Sequence, residues 1–238
     1  MVKSEEILAI IPARGGSKGI RNKNLKLLAG KPLIQYTIDA VKGSKLITRT
    51  ILSSDSLEII NYCKEEGIEA PFVRPKKLAQ DDTSMLEVVI HTLSFLKEKE
   101  NYIPDYIILL QPTSPLRTSK HIDEALLLLV NSDADSIVSV IEVPHNFNPY
   151  SVMKLDGNYI KPYLEYDERL NIRQMKPKFF ARNGPAVLAF SYECVINKKS
   201  MYGDKILPYF MNREESIDID SELDLLFAEF LIKSRYAK

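Results

Sequence analysis

A mostly parallel α/β sheet with helices on both faces is the architecture this sequence predicts, and three observations predict it. Short apolar runs alternate with longer stretches of helical period from residue 7 to residue 143. The runs are apolar throughout, as strands buried on both faces are, and do not alternate apolar with polar. Of the 238 residues, 45% are hydrophobic, enough for a substantial core, and no stretch resembles a linker. One domain over residues 1–238 is expected, with an excursion at about 144–182.

Each element has its own warrant. Ile7–Ile11 (ILAII) reads as the first buried strand. Pro32–Val41 reads as a helix with Leu33, Tyr36, Ile38 and Val41 available for packing. Thr50–Ser53 is a second strand, and Leu57–Glu66 a helix ended by Gly67. Ser84-x-x-Glu87 has the form of a capping box. It opens a helix whose apolar stripe is Leu86, Val89, Ile90, Leu93 and Leu96. Tyr106–Leu110 is a third strand. Ser119 is placed to cap the helix that carries Ile122, Leu126 and Leu129, and Ser136–Val143 is a fourth strand. The pattern then weakens through prolines 144, 149, 162 and 177, where a small hairpin arm is expected. Its tyrosines, Tyr150, Tyr159, Tyr163 and Tyr166, suit a subunit interface and would equally suit an arm packed on its own sheet. Val187–Phe190 returns to strand, and Ser216–Asp220 is extended. Ser221 is placed to cap a last helix with Leu223, Leu226, Phe227 and Phe230 facing inward.

Composition narrows the function. Lys+Arg and Asp+Glu are each 32, so no broad basic surface is available and no nucleic-acid partner is expected. No apolar run approaches the ~20 residues that span a bilayer, and residues 1–6 lead straight into a strand, so neither a membrane segment nor a secretory leader is expected. Two cysteines, Cys63 and Cys194, make no disulfide scaffold. A cytoplasmic globular protein is the expectation.

Three segments carry chemistry. The first is Pro12-Ala13-Arg14-Gly15-Gly16-Ser17-Lys18-Gly19-Ile20-Arg21-Asn22-Lys23-Asn24, directly after the first strand. In an open α/β sheet this is the carboxyl-end crevice where ligands bind. Its glycines let backbone N–H groups approach a ligand. Arg14, Lys18, Arg21, Lys23, Lys26 and Lys31 fall here, and no Asp or Glu occurs between Glu6 and Asp39. That balance suits a polyphosphate, although a basic solvated turn would read similarly. Neither the dinucleotide G-x-G-x-x-G nor the P-loop G-x-x-x-x-G-K-[ST] is present.

The second segment is Glu214–Glu222, part of a stretch with seven acids and no bases over 214–229. In an extended chain Ile217 and Ile219 share one side, and Asp218 and Asp220 the other. Paired carboxylates suit Mg²⁺ completed by substrate phosphates, although a half-exposed strand leading into a helix would look alike. The third is Gln111-Pro112-Thr113-Ser114-Pro115-Leu116-Arg117, a stiff turn after the third strand. It offers the Gln111 amide, and in Arg117 a partner for carboxylate or phosphate.

Together and in this order, these segments resemble the CMP-sugar-acid synthetases (acylneuraminate cytidylyltransferases). The family's A-R-x-x-S-K-G-x-x-x-K-N is matched by Ala13, Arg14, Ser17, Lys18, Gly19, Lys23 and Asn24. LLQPTSPLRT at 109–118, SIDID-x-E-L-D-L from Ser216 to Leu225, and Arg74-Pro75 followed by Leu78-Ala79 and Asp81 are further matches. The likeness covers about residues 5–231. It implies a Rossmann-like nucleotidyltransferase sheet with a small arm that makes a homodimer. The implied reaction is CTP plus a 2-keto sugar acid giving CMP-sugar and pyrophosphate, with Mg²⁺. By resemblance, Arg14, Ser17, Lys18 and Lys23 hold the triphosphate, and Arg14, Lys18 and Lys23 are the catalytic cations. Ala13, Arg14, Asn24, Arg74, Thr83 and Ser84 surround cytosine and ribose, and Asp218 and Asp220 ligate Mg²⁺. Gln111, Arg173 and Asn183 face the sugar acid, with Arg173 reaching into the neighbouring subunit's site.

Departures from the sialic acid pattern fall on the sugar side. Arg182 is displaced by one place before Asn183-Gly184, and Asn148–Ser151 lacks a lysine found in some relatives, with Lys154 nearby. N-acetylneuraminate, legionaminate and pseudaminate all stay open. Relatives acting on the eight-carbon acid KDO carry aspartate where this chain has Gln111, which favours the sialic-type branch. A non-catalytic nucleotide- or sugar-binding module would need a damaged loop or acid pair, and both are intact. His91, His121 and His145 match no family catalytic position, and no side-chain base is evident.

Overall fold

The computed structural model describes residues 5–16, 19–164 and 176–236. In chain order these form β1 (Ile7–Pro12), β2 (Leu27–Leu28), β3 (Lys31–Pro32), α1 (Leu33–Lys42), β4 (Arg49–Ser53), α2 (Leu57–Glu65) and α3 (Met85–Glu100). There follow β5 (Tyr106–Leu109), α4 (Ser119–Val130), β6 (Ser136–Glu142), β7 (Met153–Asp156), β8 (Tyr159–Pro162), β9 (Phe180–Arg182), β10 (Leu188–Ser191), α5 (Tyr192–Lys198), β11 (Ile206–Phe210) and α6 (Glu222–Tyr236). The central sheet has seven strands in the order β11-β6-β10-β5-β1-β4, with β9 also on β6. β10 runs against the other five strands of that path, which are mutually parallel.

The continuous apolar runs explain the layering. Along β1, Ile7, Ala9 and Ile11 enter one core, packed with Ile34 and Ile38 of α1, Ile59 and Cys63 of α2, and Ile122 and Leu126 of α4. Leu8 and Ile10 enter the other, with Val89, Leu93 and Leu96 of α3 and Val195. Side chains alternate between faces and both faces are covered, so no polar position is tolerated in the run. Ser84 and Glu87 form the expected capping box at α3, and both cysteines are free and buried.

β6 is paired along one edge first by β10 and then by β9. Between them, residues 183–186 leave the ladder, and the Val187 carbonyl rejoins it by accepting the Ser139 N–H (2.8 Å), so β9 and β10 behave as one strand interrupted by a long bulge. A polar knot fills the gap: Ser139 Oγ donates to Asn183 Oδ1 (2.5 Å) and accepts the Val187 N–H (2.8 Å). That detour lifts the Asn183–Gly184 loop to the carboxyl end of the sheet.

Three expectations change. α4 is capped by Thr118, not Ser119: the Thr118 backbone is extended (φ −111°, ψ 166°) and its N–H donates to His121 Nδ1 at 3.2 Å. Ser119 is already helical, because burying Ile122 and Leu126 starts the helix there. Ser216–Asp220 is not a sheet strand. It runs out of a short 3₁₀ turn (Arg213–Glu215), and the sheet edge is the earlier β11, whose exposed Ile206 and Phe210 mask its period. Finally, α6 is rotated. Leu223, Leu226, Phe227 and Phe230 are exposed, whereas Leu225, Ala228 and Ile232 are buried with Ile20, Leu28 and Leu33. The helix is apolar on two faces, so period alone does not choose. Ile219, fully buried just before it, sets the rotation.

The excursion does contain a hairpin, β7–β8, with every residue of both strands exposed.

Candidate active site

The glycine-rich loop and the acidic segment, nearly 200 residues apart in sequence, meet on one cleft at the carboxyl end of β1. A third, small core joins them: Ile20 from the loop, Ile219 from the acidic segment, and Leu225 and Ala228 of α6 are buried together. Above it, Lys23 Nζ donates to the Ile219 carbonyl (2.6 Å) and to Asp220 Oδ1 (3.1 Å). Lys26 pairs with Glu222. A Cβ on Gly19 would stand 2.2 Å from the Asp220 carbonyl oxygen, so only glycine allows the two backbones this close.

The cleft has a volume of about 350 Å³. Its floor is the loop: the Gly15 N–H donates to Asp55 Oδ1 (2.9 Å), and buried Asn24 donates Nδ2 to the Arg14 carbonyl (2.9 Å). Asn24 thus holds the Ala13–Arg14 backbone in place, while its own side chain also borders the cleft. One wall comes from residues 74–88. Arg74 is buried, with Nε donating to Ser53 Oγ (3.1 Å) and a terminal nitrogen to the Ser53 carbonyl. Burial draws its pKa down to about 10, against the pull of Asp55 and aided by repulsion from Arg14, so it stays cationic at neutral pH. Thr83 lines this wall, whereas the Ser84 hydroxyl caps α3 through the Leu86 N–H (3.2 Å). Asp81 lies across from Arg14 and pairs with it at 2.7 Å.

The other wall is the turn after β5 together with the acidic segment. Gln111, Pro112 and Thr113 line it, as do Asp218 and Asp220. The Thr113 carbonyl accepts the Ile219 N–H (2.8 Å), fixing turn to segment. Gly184, at φ +111°, presses against Asp218: a Cβ there would lie 3.2 Å from its carboxylate. Burial raises the Asp218 pKa and the neighbouring Asp220 adds to this, while a hydrogen bond from Thr113 and the charge of Lys23 pull it back. Asp218 Oδ1 is buried without a hydrogen-bond partner.

The structure therefore brings Arg14, Lys23, Asn24, Arg74, Thr83, Gln111, Asp218 and Asp220 around one cleft, whereas the Ala13 side chain is buried in the core. Ser17, Lys18 and Arg173 lie outside the described residues. Asn183 is turned inward: besides its bond with Ser139, it accepts the Ala186 N–H (3.2 Å) and donates to Ser216 Oγ (2.8 Å). It ties the Gly184 loop to β6 and to the acidic segment instead of presenting its amide to the cleft. Arg117, read as a partner for a carboxylate or phosphate, is buried behind the turn, and its hydrogen bonds go to the Gln111 and Ala186 carbonyls and to Thr37. The cations read as uncompensated along the chain are largely paired in space, as Arg14–Asp81, Lys23–Asp220, Lys26–Glu222 and Lys31–Asp39. Sequence reasoning did not single out Asp81 or Thr113 as cleft residues, or Gly184 as the residue packed on Asp218. Asp81 and Thr113 carried a signal, since both stand inside matched motifs. Among the described residues, no histidine lines the cleft.

The family model described as "Cytidylyltransferase" matches residues 8–229. The CMP-N,N'-diacetyllegionaminic acid synthase of Legionella pneumophila is 35% identical over 95% of this chain and 96% of its own. The N-acylneuraminate cytidylyltransferase of Escherichia coli is 34% identical over 94% of this chain, which spans 51% of that longer protein. Among solved structures, a CMP:2-keto-3-deoxy-manno-octonic acid synthetase complexed with CTP superposes with a TM-score of 0.70. It covers 97% of this chain and 99% of its own at 13% identity, a likeness of fold.

Proposed function

This chain belongs to the cytidylyltransferase family, and we propose that it joins CTP to a sialic acid-like 2-keto sugar acid, giving the CMP-sugar and pyrophosphate. One observation carries the reading. The cationic loop and the paired aspartates border a single cleft, linked through Lys23 and Asp220. Arg14, Lys23 and the loop backbone would grip the triphosphate. Arg74, Thr83 and the Ala13–Arg14 backbone held by Asn24 would bound the nucleoside. Gln111 would stand on the sugar-acid side. Lys18 and Ser17 complete the motif that points to phosphate binding.

The aspartates fit a magnesium ion. Asp218 keeps a buried oxygen without a partner, beside a second carboxylate, and oxygen donors are what this cation takes. Among the described residues no group of three or more acidic, His or Cys side chains forms a complete metal cage. Two carboxylates suffice where substrate phosphates and water fill the remaining positions. Bound by Asp218 and Asp220, the ion would supply Lewis acidity and charge neutralisation at the phosphates. The residues of the chain orient the sugar hydroxyl in line with the α-phosphorus and oppose charge on departing pyrophosphate. That is positioning plus electrostatics rather than covalent catalysis.

The arm supports a homodimer. Its strands expose Leu155, Tyr159 and Ile160, with Leu155 82% and Tyr159 80% accessible, a surface that a second subunit would cover. Two free buried thiols and no membrane-spanning helix among the described residues fit work in the cytoplasm.

The test is pyrophosphate release from CTP with a panel of nine-carbon acids and KDO, with Mg²⁺ or with EDTA, for wild type and Asp220→Asn. A nine-carbon acid should be preferred, and both EDTA and Asp220→Asn should abolish turnover. Turnover undiminished in EDTA would remove the metal assignment. KDO preferred over every nine-carbon acid would move the chain to the other branch.

A further inference from the structure

We propose that Arg117 is a positioning residue: its buried guanidinium clamps the turn carrying Gln111 to the loop carrying Gly184 and so sets the sugar-acid side of the cleft. The proposal rests on the functional reading above. Arg117 is only 2% exposed. One terminal nitrogen donates to the Gln111 carbonyl (3.1 Å) and the Ala186 carbonyl (2.9 Å). The other donates to Thr37 Oγ1 on α1 (2.6 Å). A planar fork is needed to reach these acceptors together, which a lysine ammonium does not provide.

Both carbonyls belong to segments that shape the cleft. Gln111 lines it and reaches across to the Gly184 carbonyl at 3.4 Å. Gly184 packs on Asp218, and Thr113, two residues after Gln111, holds Ile219 and hydrogen-bonds Asp218. A shift of turn against loop would therefore move Gln111 and Asp218 together. The nucleoside wall, formed by Arg74 and Thr83, hangs from Ser53 and the start of α3 and is tied to neither segment.

The chemistry of the choice argues for more than stability. Among the described residues Arg117 has no carboxylate partner, its Nε is buried without an acceptor, and burial pulls its pKa down to about 9. An unpaired buried cation costs stability that an apolar residue of similar volume would not. Its retention makes sense where fixed geometry between two loops is what the site requires.

Arg117→Lys and Thr37→Val, each in the full chain, test this. The readouts are kcat and KM for each substrate by pyrophosphate release, and the Kd of CTP by calorimetry. Arg117→Lys should raise the sugar-acid KM and lower kcat, by about tenfold or more in kcat/KM, with the CTP Kd within about twofold. Thr37→Val, which conserves volume, should shift the same parameters by about threefold and carries the test if Arg117→Lys does not fold. Wild-type sugar-acid kinetics in the folded variants, or a CTP Kd that weakens in step, would overturn the proposal. If wild type itself turns over no sugar acid, the functional reading fails and hydrogen exchange decides. Faster exchange confined to 111–114 and 184–187 in the variants supports the clamp, and unchanged exchange there removes it.

Discussion

At the scale of single residues, close approach and charge pairing make the site. Gly19 is defined by an absence: the space its Cβ would take is filled by the Asp220 carbonyl oxygen, a backbone atom that cannot rotate away. Gly19→Ala should therefore weaken CTP binding and lower kcat/KM by about tenfold or more. Calorimetry with CTP and steady-state kinetics check this, and wild-type CTP affinity in Gly19→Ala would contradict it. Lys23 and Asp220 were legible as opposite charges at the two ends of the chain. Their contact, and the pairing of Arg14 with Asp81, were not, because nothing local fixes which distant carboxylate a cation meets. Asn183 illustrates the converse. A matched motif position looked like a ligand contact, and the structure shows all its amide bonds made within the fold.

At the scale of elements, α6 is the lever that holds the acidic segment down. Its buried Leu225, Ala228 and Ile232 continue the small core that begins with Ile20 and Ile219. Ile219→Ala should destabilise the fold by about 2–5 kcal/mol, the ordinary cost of a large-to-small change at a fully buried position. Leu226→Ala, on the exposed face, should stay within about 0.5 kcal/mol. Urea denaturation separates the two, and a reversed order would mean that the helix sits the other way round. The inward face of α6 was misread from sequence because apolar residues occupy both sides of it. The α3 stripe was legible because the opposite side of that helix is charged and Ser84 with Glu87 marks its start. Likewise Thr118 and Ser119 are adjacent hydroxyls with equal capping chemistry, and only the burial of the following apolar positions chooses between them.

At the scale of the whole molecule, the parallel core announces itself because strands buried on both faces leave no polar position in their runs. What stayed hidden are the features that tertiary contacts decide: the reversed direction of β10, its interrupted continuation from β9, and the half-exposed edge strand β11. The same burial sets a pH response. Burial lowers the pKa of His91, helped by Arg74 and Lys77, and burial lowers that of His121 against the opposing pull of Glu215 and Glu124. An imidazole whose folded pKa lies below its unfolded value of 6.5 binds fewer protons in the native state, so stability is present above 6.5 and falls as pH drops through that value. Tm should decrease from pH 7.5 to pH 5.5, and His91→Gln should shrink that decrease. A Tm that is flat or rises on acidification would show that these imidazoles are not held neutral by the fold.

The central claim is that one cleft, closed by the first loop and the last acidic segment, holds a single cytidine triphosphate. A crystal structure of the wild-type chain with CTP tests it most directly. The triphosphate should lie between Arg14 and Lys23 on one side and Asp218 and Asp220 on the other, with the base against the Arg74 wall. Nucleotide bound away from either charged segment would contradict it.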